Sequence, residues 1–233
     1  MNRIVFVLGF CLFVMALSVA RAGDSGKQNT LNEAEKKLGW KLLFDGKTVD
    51  GWMSWNSRKP LKEGKWRVKE GVLELTRGGG DIYTAKPYEN FILSLEWKTT
   101  GNSGIFVRVD PKSKGPIWRV APEMQIERRN AAYLYNLYYP KGKLKINTGD
   151  WNHVKIRMVN GHGTHWFNGV KLYEYKIGSE DWNKRVMKSK FNKQIKEFGM
   201  KANGHIGLQD HGATVRFRNI KIRELPKSVS GKE

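Results

Sequence analysis

Alternation of apolar and polar residues with period two is the sequence feature that most constrains this fold. It occurs in residues 91–98, 105–109, 154–158 and 215–218, where every second residue is apolar. Tight-turn dipeptides such as Asn160-Gly161 and Asn168-Gly169 separate such stretches. No alternation of strands with helices is visible. The pattern predicts an all-β sandwich of two antiparallel sheets.

Two segments depart from simple alternation. Residues 179–198 have an apolar stripe with helical spacing behind Ser179, which is a good N-cap residue. We predict one short helical excursion there, on the surface of the sandwich. In the last strand the apolar phase shifts between Phe217 and Ile220, which predicts a β-bulge near Asn219.

The chain termini differ in composition from the domain between them. A basic start, an apolar run over residues 4–19 and a small-x-small site before residue 23 are typical of a signal peptide, with an uncleaved membrane anchor as the alternative. We therefore expect an exported protein, periplasmic or extracellular, with no membrane span in the mature chain. The predicted boundaries are 1–22 signal peptide, 23–38 polar linker with a short helix, 39–226 β domain, and 227–233 basic tail.

The composition excludes some chemistry and suggests partners. Cys11 is the only cysteine and lies in the predicted signal peptide, so disulfides, zinc–thiolate sites and cysteine nucleophiles are excluded from the mature chain. The sequence has 42 Lys+Arg against 22 Asp+Glu, a formal charge of +20. These cations are dispersed and no nucleic-acid-binding motif accompanies them, so no nucleic-acid partner is expected. A basic surface of this kind is either simply solvated or suited to acidic polymers and glycans.

One predicted strand carries an unusual set of polar residues. In Glu123-Met124-Gln125-Ile126-Glu127 the polar residues alternate with apolar ones, so two carboxylates and an amide share one face. The motif partly resembles the Glu-x-Asp-x-Glu strand of laminarinase-type glucanases, with Gln125 in place of the central aspartate. A solvated strand face is the alternative interpretation.

Other polar residues are placed where they could join this strand. Glu96 and Arg108 lie on the polar faces of neighbouring strands, and Gln209-Asp210-His211 ends another strand just before a turn. His211 is suited to proton transfer because imidazole titrates near neutral pH, and Asp210 could orient it; a plain turn is the alternative. No spacing typical of a metal site occurs, so a divalent ion could bind only through residues that the fold brings together.

Aromatic residues in irregular segments could stack on sugars: Trp55, Trp118, Tyr133, Tyr135, Tyr138 and Tyr139.

Several longer motifs carry a family resemblance. They are Trp40-Lys41-Leu42-Leu43-Phe44-Asp45-Gly46, Gly101-Asn102-Ser103-Gly104-Ile105-Phe106-Val107-Arg108, and Gly204-His205-Ile206-Gly207-Leu208-Gln209-Asp210-His211-Gly212. This combination resembles the 3-keto-glucoside 1,2-lyase/3-keto-2-hydroxyglucal hydratase family, also called the 3-keto-disaccharide hydrolase domain, over about residues 39 to 225.

The resemblance implies a concanavalin A-like jelly roll that acts on a glucoside or disaccharide oxidised at C3. A base would remove the C2 proton, the C1 substituent would leave, and water would add afterwards. Carried onto this chain, the resemblance implies His211 or Glu127 as base and Glu123 as acid. It implies Arg108 or a bound cation near the C3 oxyanion. The residues expected to position the sugar or orient these groups are Glu96, Gln125, Gln209 and Asp210.

Two other functions remain open from the sequence. A retaining β-glucanase would use Glu123 and Glu127 on unoxidised substrates, and a lectin-like module would bind glycans on the same face without turnover.

Overall fold

The computed structural model describes residues 27–227, so the predicted signal peptide and all of the predicted basic tail except Lys227 lie outside the described residues. The described chain is an antiparallel two-sheet sandwich, which confirms the predicted jelly-roll fold. The first sheet contains β1 (Trp40–Leu42), β3 (Trp66–Lys69), β4 (Val72–Leu75), β6 (Phe91–Thr99), β9 (Asn152–Val159), β10 (His162–Phe167), β11 (Val170–Lys176) and β13 (Val215–Glu224). The second contains β2 (Trp52–Ser54), β5 (Ile82–Thr84), β7 (Asn102–Val109), β8 (Glu123–Glu127) and β12 (His205–Leu208).

Strand order places the two sheets around one core. The first sheet runs β11-β10-β9-β6-β13-β4-β3, with β1 also paired to β13, and the second runs β2-β5-β12-β7-β8. The inward faces of both sheets are fully buried, as Leu93 and Phe217 show in the first and Ile105 and Leu208 in the second. Removal of this apolar surface from water is the main stabilising contribution to the fold. Among residues 27–227 no helix has the length and apolarity to cross a membrane.

Among the β-bulges of residues 27–227, two bear on the predicted strand patterns. The bulge predicted near Asn219 is confirmed, because the β13–β6 register shifts between Arg218 and Lys221 and Asn219 has a φ of 53°. A second bulge in β7 was not predicted. Here the β12–β7 register shifts and Arg108 has a φ of 60°. The expected continuous alternation through residue 109 is therefore wrong, since Val109 packs in the same cluster as Phe106.

The helical excursion begins as predicted but is not a surface feature. Helix α2 (Glu180–Lys188) starts after Ser179, whose side chain accepts a hydrogen bond from the Trp182 backbone N–H. The helix ends at Lys188, earlier than the apolar stripe over residues 179–198 predicts. A 3₁₀ turn at Asn192–Gln194 follows. Trp182 is fully buried, and the rings of Phe191 and Phe198 stack 4.3 Å apart. The segment therefore packs on the core and forms one wall of a cavity described below.

The described part of the predicted linker is fixed to the sandwich. Helix α1 (Glu33–Lys37) has a capping box formed by Asn32 and Glu35. Before it, the buried Asn29 donates from its side chain to the Gly71 carbonyl and accepts from the Asn219 backbone N–H. Residues 27–38 therefore belong to the folded domain.

Replacing Asn29 by Gly should lower the free energy of unfolding by about 1–3 kcal/mol, because two partly buried hydrogen bonds are lost. Glycine tolerates the φ of 55° at this position, so the loss reports the side chain and not backbone strain. Urea denaturation measures the change. Glu70→Gly is the matched control, since Glu70 also has a positive φ (52°) but is exposed. Equal stability of the two variants would show that Asn29 does not fasten this segment.

Candidate active site

Strand register brings polar residues into one row on the outer face of the second sheet. The core residues Ile82, Leu208, Ile105 and Met124 lie side by side on β5, β12, β7 and β8. Their chain neighbours on one side are Asp81, Gln209, Gly104 and Gln125, and the Gln209 backbone N–H donates to the Gly104 carbonyl. Since adjacent residues of a strand point to opposite faces, this second row points away from the core.

Glu123 lies over the glycine in that row. A methyl group on Gly104 would lie 2.5 Å from Glu123 Oε1, so only glycine leaves room for this carboxyl group. The side chain is 7% exposed. Burial raises the pKa of Glu123 to about 8; the charge of Lys190 opposes the increase and that of Asp81 adds to it. Glu123 is therefore protonated at neutral pH.

Asp81, which the sequence analysis did not select, is the second perturbed carboxyl group. It immediately precedes β5 and accepts a hydrogen bond of 2.9 Å from the Asp210 backbone N–H. Burial raises its pKa to about 6; the Asp210 N–H opposes this change, the Asp210 charge reinforces it, and the charge of His211 opposes it. Near pH 7 the Asp81 carboxyl group is ionised while that of Glu123 is not.

Asp210 holds together the two loops that carry these groups. Its Oδ2 accepts hydrogen bonds from the backbone N–H groups of Gly78 (3.0 Å) and Gly80 (2.8 Å), and its Oδ1 accepts one from Gly212. The first two bonds position the turn before Asp81, and the third positions the turn that carries His211. Asp210 is therefore a positioning residue.

Aromatic side chains and one lysine complete the cavity. Trp118 comes from the 3₁₀ turn Ile117–Arg119, and Tyr135 from a segment that hydrogen-bonds along the outer edge of β8. Lys190 Nζ lies 4.5 Å from the ring centroid of Trp118 and 4.3 Å from that of Tyr135. The cavity measures about 420 Å³, which is large enough for a sugar.

Two buried amide oxygens in the cavity lack hydrogen-bond partners among the described residues. They are Asn102 Oδ1 and Gln209 Oε1. An unsatisfied buried acceptor costs free energy unless a ligand or water supplies a donor. Sugar hydroxyl groups are suitable donors, so the cavity has the polarity that a carbohydrate requires.

Five predicted site residues line this cavity: Glu123, Gln125, Gln209, Asp210 and His211. Glu127 does not. It lies two residues beyond Gln125 on β8, where its carboxylate accepts hydrogen bonds from the side chains of Gln125 and Asn130. Glu127 therefore holds the Gln125 amide and does not face the cavity, where it was expected as a base.

Glu96 and Arg108 are outside the cavity, which corrects their expected contact with the sugar. Glu96 lies on the first sheet and pairs with Arg218, whose Nε is 2.6 Å away. The bulge in β7 turns Arg108 out of the alternation, and its Nη1 donates to the Gly199 carbonyl. Of the proposed stacking residues, only Trp118 and Tyr135 line the cavity; Trp55 instead stacks with the Arg58 guanidinium group.

Asp81 and Lys190 escape prediction from the sequence for different reasons. Asp81 follows Gly78-Gly79-Gly80, which was interpreted only as a turn; an acidic residue between a glycine-rich turn and a strand was the available signal. Lys190 was one of many lysines in a segment assigned to the surface. The sequence pattern around Lys190 does not indicate that its side chain faces the cavity.

The residues do not fit the divalent ion that the sequence left open. Among residues 27–227 no three His, Asp or Glu side chains are grouped so that they could hold a metal ion. The chemistry below is therefore derived from side chains alone.

Comparison with known proteins agrees with this architecture. A family model described as a 3-keto-alpha-glucoside-1,2-lyase-like domain matches residues 39–223. A Bacteroides thetaiotaomicron protein named 3-keto-disaccharide hydrolase is 28% identical over an alignment of 254 positions, covering 91% of this chain and 87% of that protein. A crystal structure of a candidate glycosyl hydrolase from Parabacteroides distasonis has a TM-score of 0.77 at 32% identity and covers 86% of this chain and 100% of its own. A second from that organism has a TM-score of 0.61 at 27% identity, covering 80% and 99%.

Glu123→Gln should flatten the dependence of stability on pH between pH 6 and 8. The folded pKa of about 8 lies above the ordinary 4.5, so the folded state binds the proton more tightly and wild-type stability falls as pH rises through this range. The slope is at most about 1.4 kcal/mol per pH unit. Urea denaturation at several pH values measures it. Gln209→Asn, an uncharged change in the same cavity, should keep the wild-type slope, and an unchanged slope in Glu123→Gln would contradict the assignment.

Proposed function

This chain belongs to the 3-keto-alpha-glucoside-1,2-lyase-like family, and we propose that it is an enzyme that cleaves glucosides oxidised at C3 by elimination followed by hydration. A carbohydrate-active function agrees with its relatives, which are named as hydrolases of a 3-keto-disaccharide or of glycosides. The observation that carries the proposed mechanism is the pair of carboxyl groups in one cavity, with pKa values of about 6 and about 8. Environments that separate two pKa values in this way assign a base and an acid.

The ketone at C3 makes the C2 proton acidic. We assign its removal to the Asp81 carboxylate, which is ionised near pH 7 and has a pKa close to the working pH. Electrons of the C2–H bond first form a C2=C3 enolate with negative charge on the C3 oxygen. The enolate then collapses, so that the C3=O bond re-forms, the C1=C2 bond forms and the C1–O bond breaks. His211 lines the same cavity, and its positive charge stabilises the Asp81 carboxylate.

Glu123 is suited to be the general acid. Its burial keeps the proton on the carboxyl group near pH 7, where a solvent-exposed glutamate would have lost it. Transfer of this proton to the departing C1 oxygen avoids release of an alkoxide. The glycine at position 104 supports this role because it provides the space that buries Glu123.

Lys190 takes the place that the sequence analysis gave to Arg108. Elimination proceeds through an enolate whose negative charge develops on the C3 oxygen. Lys190 is the cationic side chain among the residues that line the cavity beside Glu123. Its ammonium group lies against Trp118 and Tyr135 and is positioned to stabilise that charge.

Hydration reverses the roles of the two carboxyl groups. Glu123, now ionised, takes a proton from water as the oxygen adds to C1, and Asp81, whose carboxyl proton exchanges with solvent between the two half-reactions, donates a proton to C2. Both groups end in their starting states, and the net reaction consumes one water. Elimination followed by hydration therefore equals hydrolysis, which reconciles the lyase and hydrolase names of the relatives. The competing retaining mechanism that uses Glu123 and Glu127 needs both carboxyl groups beside one glycosidic bond, and Glu127 does not line the cavity.

Purified protein should release the aglycone from 4-nitrophenyl 3-keto-β-D-glucoside or its α anomer and leave the unoxidised parent glucosides intact. The reason is that only the ketone acidifies the C2 proton. Release of 4-nitrophenol measures both reactions, and a chelator arm should show unchanged turnover. Equal cleavage of oxidised and parent substrates would favour the glucanase mechanism, and binding without turnover would favour a lectin.

The pH profile of kcat/KM should be bell-shaped, with limbs near pH 6 and pH 8, because Asp81 must be ionised and Glu123 protonated. Asp81→Asn should lower kcat/KM by about 10²–10⁴-fold and remove the acidic limb from the residual activity. Glu123→Gln should remove the basic limb. Glu127→Gln is the matched control and should retain both limbs; loss of the basic limb in that variant would move the acid to Glu127.

A further inference from the structure

A second cleft lies beside the candidate active site, and we propose that it binds an anionic substituent, a sulfate or carboxylate group, carried by a carbohydrate. Its volume is about 560 Å³. It lies between the loop that follows β7 and the segment that follows the 3₁₀ turn Asn192–Gln194. Nothing in the proposed reaction uses this cleft.

The lining of the cleft is strongly cationic. Five side chains carry positive charge and two carry negative charge. Such an excess in a concave surface concentrates the electrostatic potential and attracts anions. The cationic residues are Arg108, Lys112, Lys114, Lys196 and Lys201.

Arg108 makes this cleft more than a group of surface lysines. The residue is 6% exposed, and its Nε is buried without a hydrogen-bond partner among the described residues. Its backbone is in the left-handed region at the β7 bulge, a strained conformation for a non-glycine residue. A buried guanidinium group with an unpaired donor is costly, and Arg108 lines the cleft, where the charge of a bound anion would stabilise it.

The basic loop is also held in a defined conformation. Arg58 Nε donates to the Pro111 carbonyl and its Nη2 to the Ser113 carbonyl, while its guanidinium group stacks 3.4 Å from the Trp55 ring centroid. The Asp110 side chain accepts from the Lys112 backbone N–H. These contacts fix the loop before any ligand binds, which lowers the entropic cost of binding.

The location argues for a carbohydrate as the carrier of the anion. Lys114 lines the basic cleft, and Pro116, two residues later, lines the sugar cavity. In the same way, Lys190 faces the sugar cavity and Lys196 the basic cleft. The same two chain segments therefore contribute residues to both sites, and a charged sugar that extends from the cavity along these segments would reach the cleft.

Calorimetric titration with glucose 6-sulfate, glucuronate, glucose and inorganic sulfate tests this proposal. Wild-type protein should bind the two charged sugars more tightly than either glucose or inorganic sulfate. The variant Lys112→Gln/Lys196→Gln/Lys201→Gln should weaken binding of the charged sugars by about tenfold or more, because charge-assisted hydrogen bonds are lost. Its turnover of a neutral 3-keto-glucoside should equal that of the wild type, so failure of this proposal is distinguishable from failure of the proposed reaction.

The matched control is Lys37→Gln/Lys47→Gln/Lys69→Gln, which removes the same charge from exposed positions outside the cleft. It should retain wild-type affinity for the charged sugars. Equal weakening in both triple variants would show diffuse surface attraction, and inorganic sulfate binding as tightly as the sugars would show a free-anion site; either result overturns the proposal.

Discussion

Burial of the Glu123 carboxyl group over Gly104 is the interaction on which the site depends. A side chain at position 104 would displace the carboxyl group, and without burial the pKa of Glu123 would not reach about 8. The β7–β8 register places this glycine beside Gln125, two residues along from the pairing of Glu123 with Phe106. A buried neutral carboxyl group in a polar cavity is stable only because the surrounding sandwich determines its position.

The rest of the cavity follows from one row across four strands. Antiparallel pairing sets Asp81, Gln209 and Gln125 side by side on the outer face, while their neighbours form the core. Asp210 then ties the glycine-rich turn before Asp81 to the turn that carries His211. The two carboxyl groups that we propose as acid and base are thereby held in fixed positions, as the proposed proton transfers at C2 and at the oxygen on C1 require.

Local sequence patterns predicted the features that depend on residues close together in the chain. They did not predict the features that depend on contacts between distant segments. Period-two alternation was enough to predict the sandwich and the shared face of Glu123 and Gln125, and the phase shift in the last strand predicted the bulge at Asn219. The bulge at Arg108 has no such signal, because Val109 is apolar in either phase, so Arg108 was assigned to the wrong site. Lys190 reaches the cavity only because Trp182, Phe191 and Phe198 bury the segment that carries it, and that packing is a property of the whole fold.

Proton transfer at C2 is the central claim, and product analysis in deuterium oxide tests it most directly. A 3-keto-glucoside is converted by the enzyme in D₂O, and the product is examined by NMR for deuterium at C2. Unreacted substrate and an enzyme-free sample give the rate of spontaneous exchange. Elimination and rehydration predict that the product gains deuterium at C2 faster than spontaneous exchange allows. A product that keeps its original C2 hydrogen would contradict the account and indicate direct displacement at C1.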